Sequence, residues 1–172
     1  MDQQDIANRL VEIGIALSDE RHLPNLLSKV VDHSLDFTNA DAASLYVREG
    51  NELEFRFTRN LTLEQRDEGE NQFTTFRLPI DSRSVAGYVA LNRHTVLIPD
   101  VYNRTDALPF KFDDSFDRKV GYHSQSMLVV PIIDNEDNVL GVLQLINHMN
   151  HGVPEAFPEE LRRPVEALAG QV

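Results

Sequence analysis

The sequence predicts an α+β fold in which helices pack on an antiparallel sheet. Residues 53–59 (LEFRFTR) alternate apolar and polar side chains with the period of a strand, whereas both chain ends repeat apolar residues at helical spacing. Two apolar segments, 127–133 and 139–146, are joined by a short polar stretch, which is typical of a hairpin. No segment is repeated, so the 172 residues predict one domain with one core.

The elements follow one another in a regular order. A helix over residues 2–18 precedes a second helix that begins at Leu23-Pro24, where proline suits the first turn, and ends near Thr38. The later elements are a hairpin (42–48 and 53–59), an edge strand around Leu78 and Pro79, a short helix (85–93), a short strand (95–98), the central hairpin (127–133 and 139–146) and a helix (158–172). Residues 60–73 and 100–123 predict long loops, and the second contains aromatic residues typical of a lid.

Both terminal helices carry apolar residues spaced four, three and four apart. At the N-terminus this stripe is Ile6, Leu10, Ile13 and Leu17, and at the C-terminus it includes Leu168 and Val172. Two heptads leave two interpretations open, a helix packed on its own core or a helix that pairs in a homodimer. The C-terminal stripe still continues at Val172, so we expect an output domain to follow.

Composition excludes several classes of function. The chain has no cysteine, which rules out disulfides, thiolate metal sites and cysteine nucleophiles. Its net charge of -12 disfavours nucleic acid as a partner, because binding to phosphate backbones depends on clustered Lys and Arg. There is no apolar run of about 18 residues and no signal peptide, so we expect no membrane insertion and a cytoplasmic location.

Single polar residues identify the candidate sites. Gln144 lies inside the apolar strand 139–146, where its amide needs a partner, either a core neighbour or a ligand. Asp117 has two interpretations, a ligand contact or the N-cap of a helix that starts at Arg118. The acidic residues of the 100–123 segment lack the spacing of a calcium loop, and no nucleophile elbow or zinc motif is present, so neither a metal nor catalysis is predicted.

Four stretches, in this order, resemble a GAF domain, a sensory module. They are ADAASLY (40–46), SVAGYVA (84–90), LIPDVY (97–102) and the segment from Phe116 to Asn147. The last two are most similar to the subset found in cyclic-nucleotide phosphodiesterases and in bacterial signalling proteins. The subset's Asn-Lys, Phe, Asp-Glu signature appears here as Asn147-His148, Phe157 and Glu159-Glu160.

The resemblance implies a ligand pocket between the sheet and the short helices and loops on one face, with the terminal helices on the other face of a five- or six-stranded sheet. It implies that the ligand is cAMP, cGMP or another small purine-type molecule. The residues that match the subset's pocket positions are Ser44, Phe57, Val85, Ala86, Asp117, Val120, Ser124 and Gln144. Among these, Val85 and Ala86 would offer backbone N–H groups to a phosphate, and Gln144 would face the purine.

The implied function is regulatory: occupancy of the pocket would be transmitted through the terminal helices of a homodimer. The alternative is a purely structural dimerisation module with a filled pocket. An enzymatic role is not predicted, because the one activity known for the fold, reduction of free methionine sulfoxide, depends on cysteines. Any catalysis would belong to the missing output domain.

Overall fold

A twisted antiparallel sheet forms the centre of the molecule. The structure is a computed structural model that describes residues 2–66, 75–103, 108–170 and 172. Its strands are β1 (Ala40–Glu49), β2 (Glu52–Asn60), β3 (Arg77–Pro79), β4 (Val96–Ile98), β5 (Met127–Ile133), β6 (Val139–Asn150) and β7 (Val153–Glu155). They are ordered β3-β2-β1-β6-β5-β4, and β7 pairs with the end of β6. The predicted α+β class and the antiparallel sheet are confirmed.

Helices cover the two faces of the sheet. They are α1 (Gln3–Ser18), α2 (Leu23–Thr38), α3 (Leu61–Gln65), α4 (Val85–Asn92), α5 (Ser115–Val120) and α6 (Arg162–Ala169), with a 3₁₀ turn over Glu159–Leu161. Asp2 begins α1 with a capping box, and Pro24 lies in the first turn of α2. Asn39 ends α2 in the left-handed conformation, which an asparagine adopts readily, so the chain turns directly into β1.

The sheet separates two groups of buried side chains. On one face, α1, α2 and α6 pack over alternate residues of the central strands, such as Ala43, Leu45 and Leu143. On the other face, α4 packs over Tyr46, Val129 and Val142. Because successive strand residues point to opposite faces, β1 and β6 supply the core on one side and a second, separate cluster on the other.

A β-bulge in β2 changes which residues face which side. Leu45 is paired with Phe57, but its neighbour Tyr46 is paired with Phe55, so Arg56 is an extra residue in β2. Leu53 and Phe55 therefore join the cluster under α4, whereas Phe57 packs against the core under α1 and α2. The alternation of residues 53–59 predicts that Leu53, Phe55 and Phe57 share one buried face. For Phe57 this prediction is wrong, because the bulge shifts the pairing with β1 while the alternation of the sequence continues.

Several boundaries differ from the predicted ones. Residues 61–65 form α3, capped by the side chain of Asn60, where a loop was predicted, and residues 67–73 of that loop lie outside the described residues. Strand β6 continues to Asn150 and turns back into β7, which the sequence did not predict. The C-terminal helix is shorter than the predicted 158–172 and begins at Arg162, so that Pro164 lies in its first turn.

The apolar stripes of the terminal helices pack in or against the hydrophobic core of the same chain. Ile13, Leu17 and Leu168 are buried in the core under α1, α2 and α6, and Ile6, Leu10 and Val172 pack against that core while remaining partly exposed. Of the two interpretations of the N-terminal stripe, packing on the core of the same chain therefore describes Ile13 and Leu17, while Ile6 and Leu10 stay partly exposed. In the described part of the chain, no helix has the length and apolar character needed to span a bilayer.

Candidate functional site

A cavity of about 460 Å³ lies on the α4 side of the sheet. Strands β1, β2 and β6 form its floor, α4 borders it, and the segment that contains α5 covers it. The floor consists of alternate strand residues, because only every second side chain points to this face. These floor residues are Ala42, Ser44, Tyr46, Phe55, Thr58, Asn60, Gln144 and Ile146.

A polar row crosses three strands of the cavity floor. Ser44 of β1 is paired with Thr58 of β2 on one side and with Gln144 of β6 on the other. The Ser44 and Thr58 hydroxyl oxygens are 3.2 Å apart, and Thr58 also donates to the carbonyl of Ala43. The Gln144 side-chain amide is only partly buried and forms no hydrogen bond with any described residue, although its neighbours on β6 are buried aliphatic side chains.

The N-terminus of α4 presents free backbone donors to the same cavity. Ser84 caps the helix, and its hydroxyl accepts a hydrogen bond from the Gly87 N–H at 3.0 Å. The N–H groups of Val85 and Ala86 belong to the first turn and have no acceptor among the described residues, and both residues line the cavity. Such unpaired donors at a helix N-terminus favour a negatively charged group.

Aromatic side chains form one wall of the cavity. Phe55 and Phe76 are stacked with ring centroids 4.7 Å apart, and Tyr46 meets Phe55 edge to face at 5.4 Å. Phe112 and Phe116 contribute from the segment around α5. Phe110, by contrast, packs against Tyr88 and does not line the cavity. The aromatic residues therefore border the space without filling it.

Asp117 holds the segment above the cavity together. Its carboxylate accepts hydrogen bonds from the Tyr102 hydroxyl at 2.6 Å, and from the Ser124 hydroxyl and N–H, each at 2.8 Å. Helix α5 begins at Ser115, so the interpretation of Asp117 as the N-cap of a helix starting at Arg118 is wrong. Partial desolvation of the Tyr102 hydroxyl, and then its contact with Asp117, raises the pKa of Tyr102 above its ordinary value, so the hydroxyl remains a donor although the side chain is 43% exposed.

A second hydrogen-bond network anchors the end of this segment. The Tyr122 hydroxyl donates to the buried Asp41 carboxylate at 2.7 Å, and the Thr62 hydroxyl donates to the same oxygen at 2.7 Å. The Asn147 amide donates to the Tyr122 hydroxyl at 3.0 Å and to the carbonyl of His123 at 2.8 Å. The network therefore joins β1, α3, the α5–β5 connection and β6.

The structure brings six of the eight predicted pocket residues to the cavity. They are Ser44, Val85, Ala86, Asp117, Ser124 and Gln144. The predicted placement of Phe57 at the cavity is wrong because of the bulge in β2. Val120 does not line the cavity either, since it packs with Leu63 and Tyr122, and Lys119 lines it instead.

Sequence reasoning missed several cavity residues. Thr58 and Asn60 reach the cavity because the bulge shifts the alternation of β2 by one residue. Lys119 is the cation among the lining residues and forms no ion pair with a described residue. A signal was available for Asn60, because an asparagine directly before an apolar segment is typical of a helix N-cap.

Among the residues that the structure describes, the histidines and acidic residues form no group of three or more that could hold a metal ion, and Asp106 of the acidic segment lies outside these residues. His123 stacks on Tyr102 with ring centroids 4.6 Å apart and is exposed. His148 takes the position of the signature lysine, and its Nδ1 lies 2.8 Å from the carbonyl oxygen of Thr38 at the end of α2. It thus joins β6 to α2 by a hydrogen bond.

The sheet order, the covered cavity and the flanking helices define a small α+β domain with a cavity of the size of small-molecule sites. The family model described as "GAF domain" matches residues 22–172, and the chain belongs to this family. The resemblance noted in the sequence is thereby confirmed at the level of the family.

Two relatives are cyclic-nucleotide phosphodiesterases. The dual 3′,5′-cyclic-AMP and -GMP phosphodiesterase 11A of Takifugu rubripes is 29% identical over 158 residues, which cover 87% of this chain and 16% of that protein. The corresponding phosphodiesterase 11 of Drosophila melanogaster is 27% identical over 163 residues, covering 86% of this chain and 10% of that protein. The chain therefore spans a small part of the length of these relatives.

Solved structures share the fold at low identity. The GAF domain from a phosphoenolpyruvate-protein phosphotransferase of Coxiella burnetii has a TM-score of 0.73 at 20% identity, covering 99% of this chain and 91% of that one. The fRMsr of Staphylococcus aureus in complex with its substrate has a TM-score of 0.69 at 21% identity, covering 96% and 92%. These likenesses concern the fold.

Proposed function

We propose that the domain senses a cyclic nucleotide or a related purine-type anion, which binds in the cavity beneath α5. The observation that carries this proposal is the Gln144 amide, which lines the cavity without a described hydrogen-bond partner. A polar group at such a position costs free energy unless a ligand or water satisfies it. The cavity of about 460 Å³ is also within the range of small-molecule sites, which begins at about 300 Å³.

The two ends of such a ligand match two parts of the cavity. The purine edge, which carries both donors and acceptors, suits the Gln144 amide, and the aromatic wall suits the ring face. The phosphate suits the free N–H groups of Val85 and Ala86, with Lys119 adding positive charge. The names of the two phosphodiesterase relatives support this ligand class.

Occupancy of the cavity would act through the terminal helices of a homodimer. The N-terminal stripe that the heptad spacing made a candidate for pairing packs largely against the core of its own chain. Helix α1 also exposes Val11 and Ile15, which are 62% and 61% accessible. Residues four apart lie on the same face of a helix, so the two form one apolar surface suited to a second copy of α1. Catalysis would belong to an output domain outside this chain.

A thermal-shift screen with cAMP, cGMP and cyclic dinucleotides tests the proposal. A ligand at 100 times its dissociation constant stabilises by about 2.7 kcal/mol, which raises the melting temperature visibly. We expect one nucleotide to do so, and Gln144→Ala to weaken its binding by about tenfold, as loss of a hydrogen bond of about 1.4 kcal/mol would. Gln4→Ala, at an exposed position of α1, is the matched control and should bind like the wild type.

Two results would contradict the proposal. If no cyclic nucleotide in the panel raises the melting temperature, the structural dimerisation module becomes the better description. If a nucleotide binds equally well to wild type and Gln144→Ala, the amide does not contact it. Asp117→Ala is unsuitable for this test, because loss of its three hydrogen bonds would disturb the segment above the cavity directly.

A further inference from the structure

We propose that Asn60 determines which ligands the cavity accepts, by donating a hydrogen bond from its side-chain NH₂ to an acceptor atom on the ligand. The inference rests on the proposed function and deepens it, since it specifies the chemistry of the ligand edge that faces β2. Asn60 is only 3% exposed, lines the cavity, and was not among the residues predicted from the sequence.

The orientation of the Asn60 amide is fixed by its neighbour in α3. The N–H of Leu63 donates to Oδ1 of Asn60 at 3.0 Å, so the oxygen must face α3 and the nitrogen must face away from it. Because a backbone N–H can only donate, the alternative amide orientation would place two donors against each other. The capping bond therefore holds the NH₂ group in one direction.

That NH₂ group has no acceptor among the residues that the structure describes. Buried side-chain donors are normally paired, so an oriented and unpaired donor at a cavity wall indicates a partner that arrives from the cavity. By contrast, the nearby Thr58 hydroxyl donates to the Ala43 carbonyl, and Ser44 is within 3.2 Å of Thr58. Asn60 and Gln144 are thus the two floor side chains whose amides are free for a ligand.

The strand register places these two amides on neighbouring rows. Asn60 is paired with Ala42, which is paired in turn with Ile146, while Gln144 lies two residues along β6 from Ile146. Because β1 lies between β2 and β6, the two residues are two strands and two positions apart, about 12 Å between their Cα atoms, so their amides would contact different parts of one ligand. The part of the ligand beside Asn60 therefore presents an acceptor, a carbonyl oxygen or a ring nitrogen, to its NH₂ group.

Asn60→Asp tests this assignment with little change in shape. Its carboxylate can still accept from Leu63 N–H, so α3 keeps its cap, but the donor facing the cavity becomes an acceptor. Asn60→Ser also keeps a capping oxygen and removes the donor without adding charge. Asn8→Asp is the control for charge, because Asn8 is an exposed residue of α1 whose Oδ1 accepts from Gln4.

The readouts are calorimetric affinities for cAMP, cGMP, adenosine and guanosine, together with the NMR signals of the Asn60 side-chain amide. These signals are assigned by their loss in Asn60→Asp. We expect the bound ligand to shift them, and both Asn60 variants to weaken binding by about 10- to 100-fold, as a lost hydrogen bond and an unsatisfied acceptor would. The melting temperature of the free protein should stay close to the wild-type value in Asn60→Ser, whereas Asn60→Asp also buries a charge and should lower it. Asn8→Asp should bind like the wild type.

The outcomes separate this inference from the proposed function. If a cyclic nucleotide binds but the Asn60 signals stay in place and both variants bind normally, the role of Asn60 is overturned while the proposed function stands. If only a nucleoside shifts the signals and the variants abolish its binding, Asn60 keeps its role and the cyclic-nucleotide assignment is wrong. If none of the four compounds binds in calorimetry or shifts the signals, both are overturned.

Discussion

Tyr122 anchors the C-terminal end of the segment above the cavity to the sheet. Its hydroxyl is the contact between the Asp41 carboxylate of β1 and the Asn147 amide of β6. Without the Tyr122 hydroxyl, the Thr62 hydroxyl would be the one remaining donor to the Asp41 carboxylate among the described residues. A buried charge with fewer hydrogen bonds is costly, so a single oxygen atom has a measurable effect here.

We expect Tyr122→Phe to lower the free energy of unfolding by about 1–3 kcal/mol, measured by urea denaturation at pH 8. Burial, and then Asp41, raises the pKa of the Tyr122 phenol above the value of about 10 for a free tyrosine. The folded state therefore holds this proton more tightly than the unfolded state. The resulting stability is fully present below about pH 10 and is lost as the pH rises above it.

The difference between wild type and Tyr122→Phe should therefore shrink when the denaturation is repeated near pH 11. Tyr88→Phe is the control, because the Tyr88 hydroxyl has no hydrogen bond with a described residue, and it should cost much less. A Tyr122→Phe protein as stable as the wild type at pH 8 would show that the hydroxyl contributes nothing to the fold.

Individual residues also show how far the sequence predicts the site. Gln144 could be identified because an amide among aliphatic strand residues is conspicuous, and it does line the cavity. The partners of Asp117 could not be predicted, because Tyr102 and Ser124 approach it from segments that only the tertiary fold brings together. A polar residue can be found from its local context, but its partners depend on long-range packing.

At the scale of elements, α4 is fixed in place by the absence of a side chain at Gly87. A Cβ atom there would lie 2.5 Å from the carbonyl oxygen of Pro79 and 2.6 Å from that of Asp81. Both contacts are with backbone, which cannot rotate away as a flexible side chain can. The close approach sets the position of the first turn of α4, which carries the free N–H groups of Val85 and Ala86.

We expect Gly87→Ala to displace α4 and to lower the free energy of unfolding by about 1–3 kcal/mol, the usual cost of overpacking. This loss should appear although alanine favours a helix over glycine by about 1 kcal/mol. Denaturation measures the loss, and binding of any cyclic nucleotide should weaken with it. Gly170→Ala is the control, since its added Cβ would find its nearest neighbours at 3.5 Å. A Gly87→Ala protein of wild-type stability would disprove the close packing of α4 against the backbone of Pro79 and Asp81.

Elements were predicted best where the chemistry is local. The central strand β5 occurs at the predicted residues, because a continuous apolar run bounded by polar turns needs no tertiary information. The bulge in β2 is different, since the extra residue Arg56 continues the alternation of the sequence while the pairing with β1 shifts. Predicting the cavity floor therefore required the register of the sheet, which the hydrophobic pattern alone does not specify.

At the scale of the whole molecule, the sheet separates a helix-covered core from a cavity. Leu17 and Leu168, which the heptad spacing made candidates for pairing, are 2% and 1% exposed in the core of one chain. A heptad pattern cannot distinguish these roles, because burial within a chain and burial between chains require the same spacing. The exposed Val11 and Ile15 are the part of α1 that remains for a partner.

The proposed pairing predicts that Val11→Glu combined with Ile15→Glu weakens self-association at least tenfold in sedimentation equilibrium, because two charges would be buried in a like-charged interface. Both residues are exposed, so the free energy of unfolding of the protomer should change little. Leu17→Ala should behave in the opposite way, losing about 2–5 kcal/mol of stability through its buried side chain. The matched control is Leu91→Glu combined with Leu140→Glu, which places two charges at exposed leucines of α4 and β6. Self-association unchanged by the α1 substitutions, or a wild-type protein that stays monomeric at high concentration, would exclude this surface as the dimer contact.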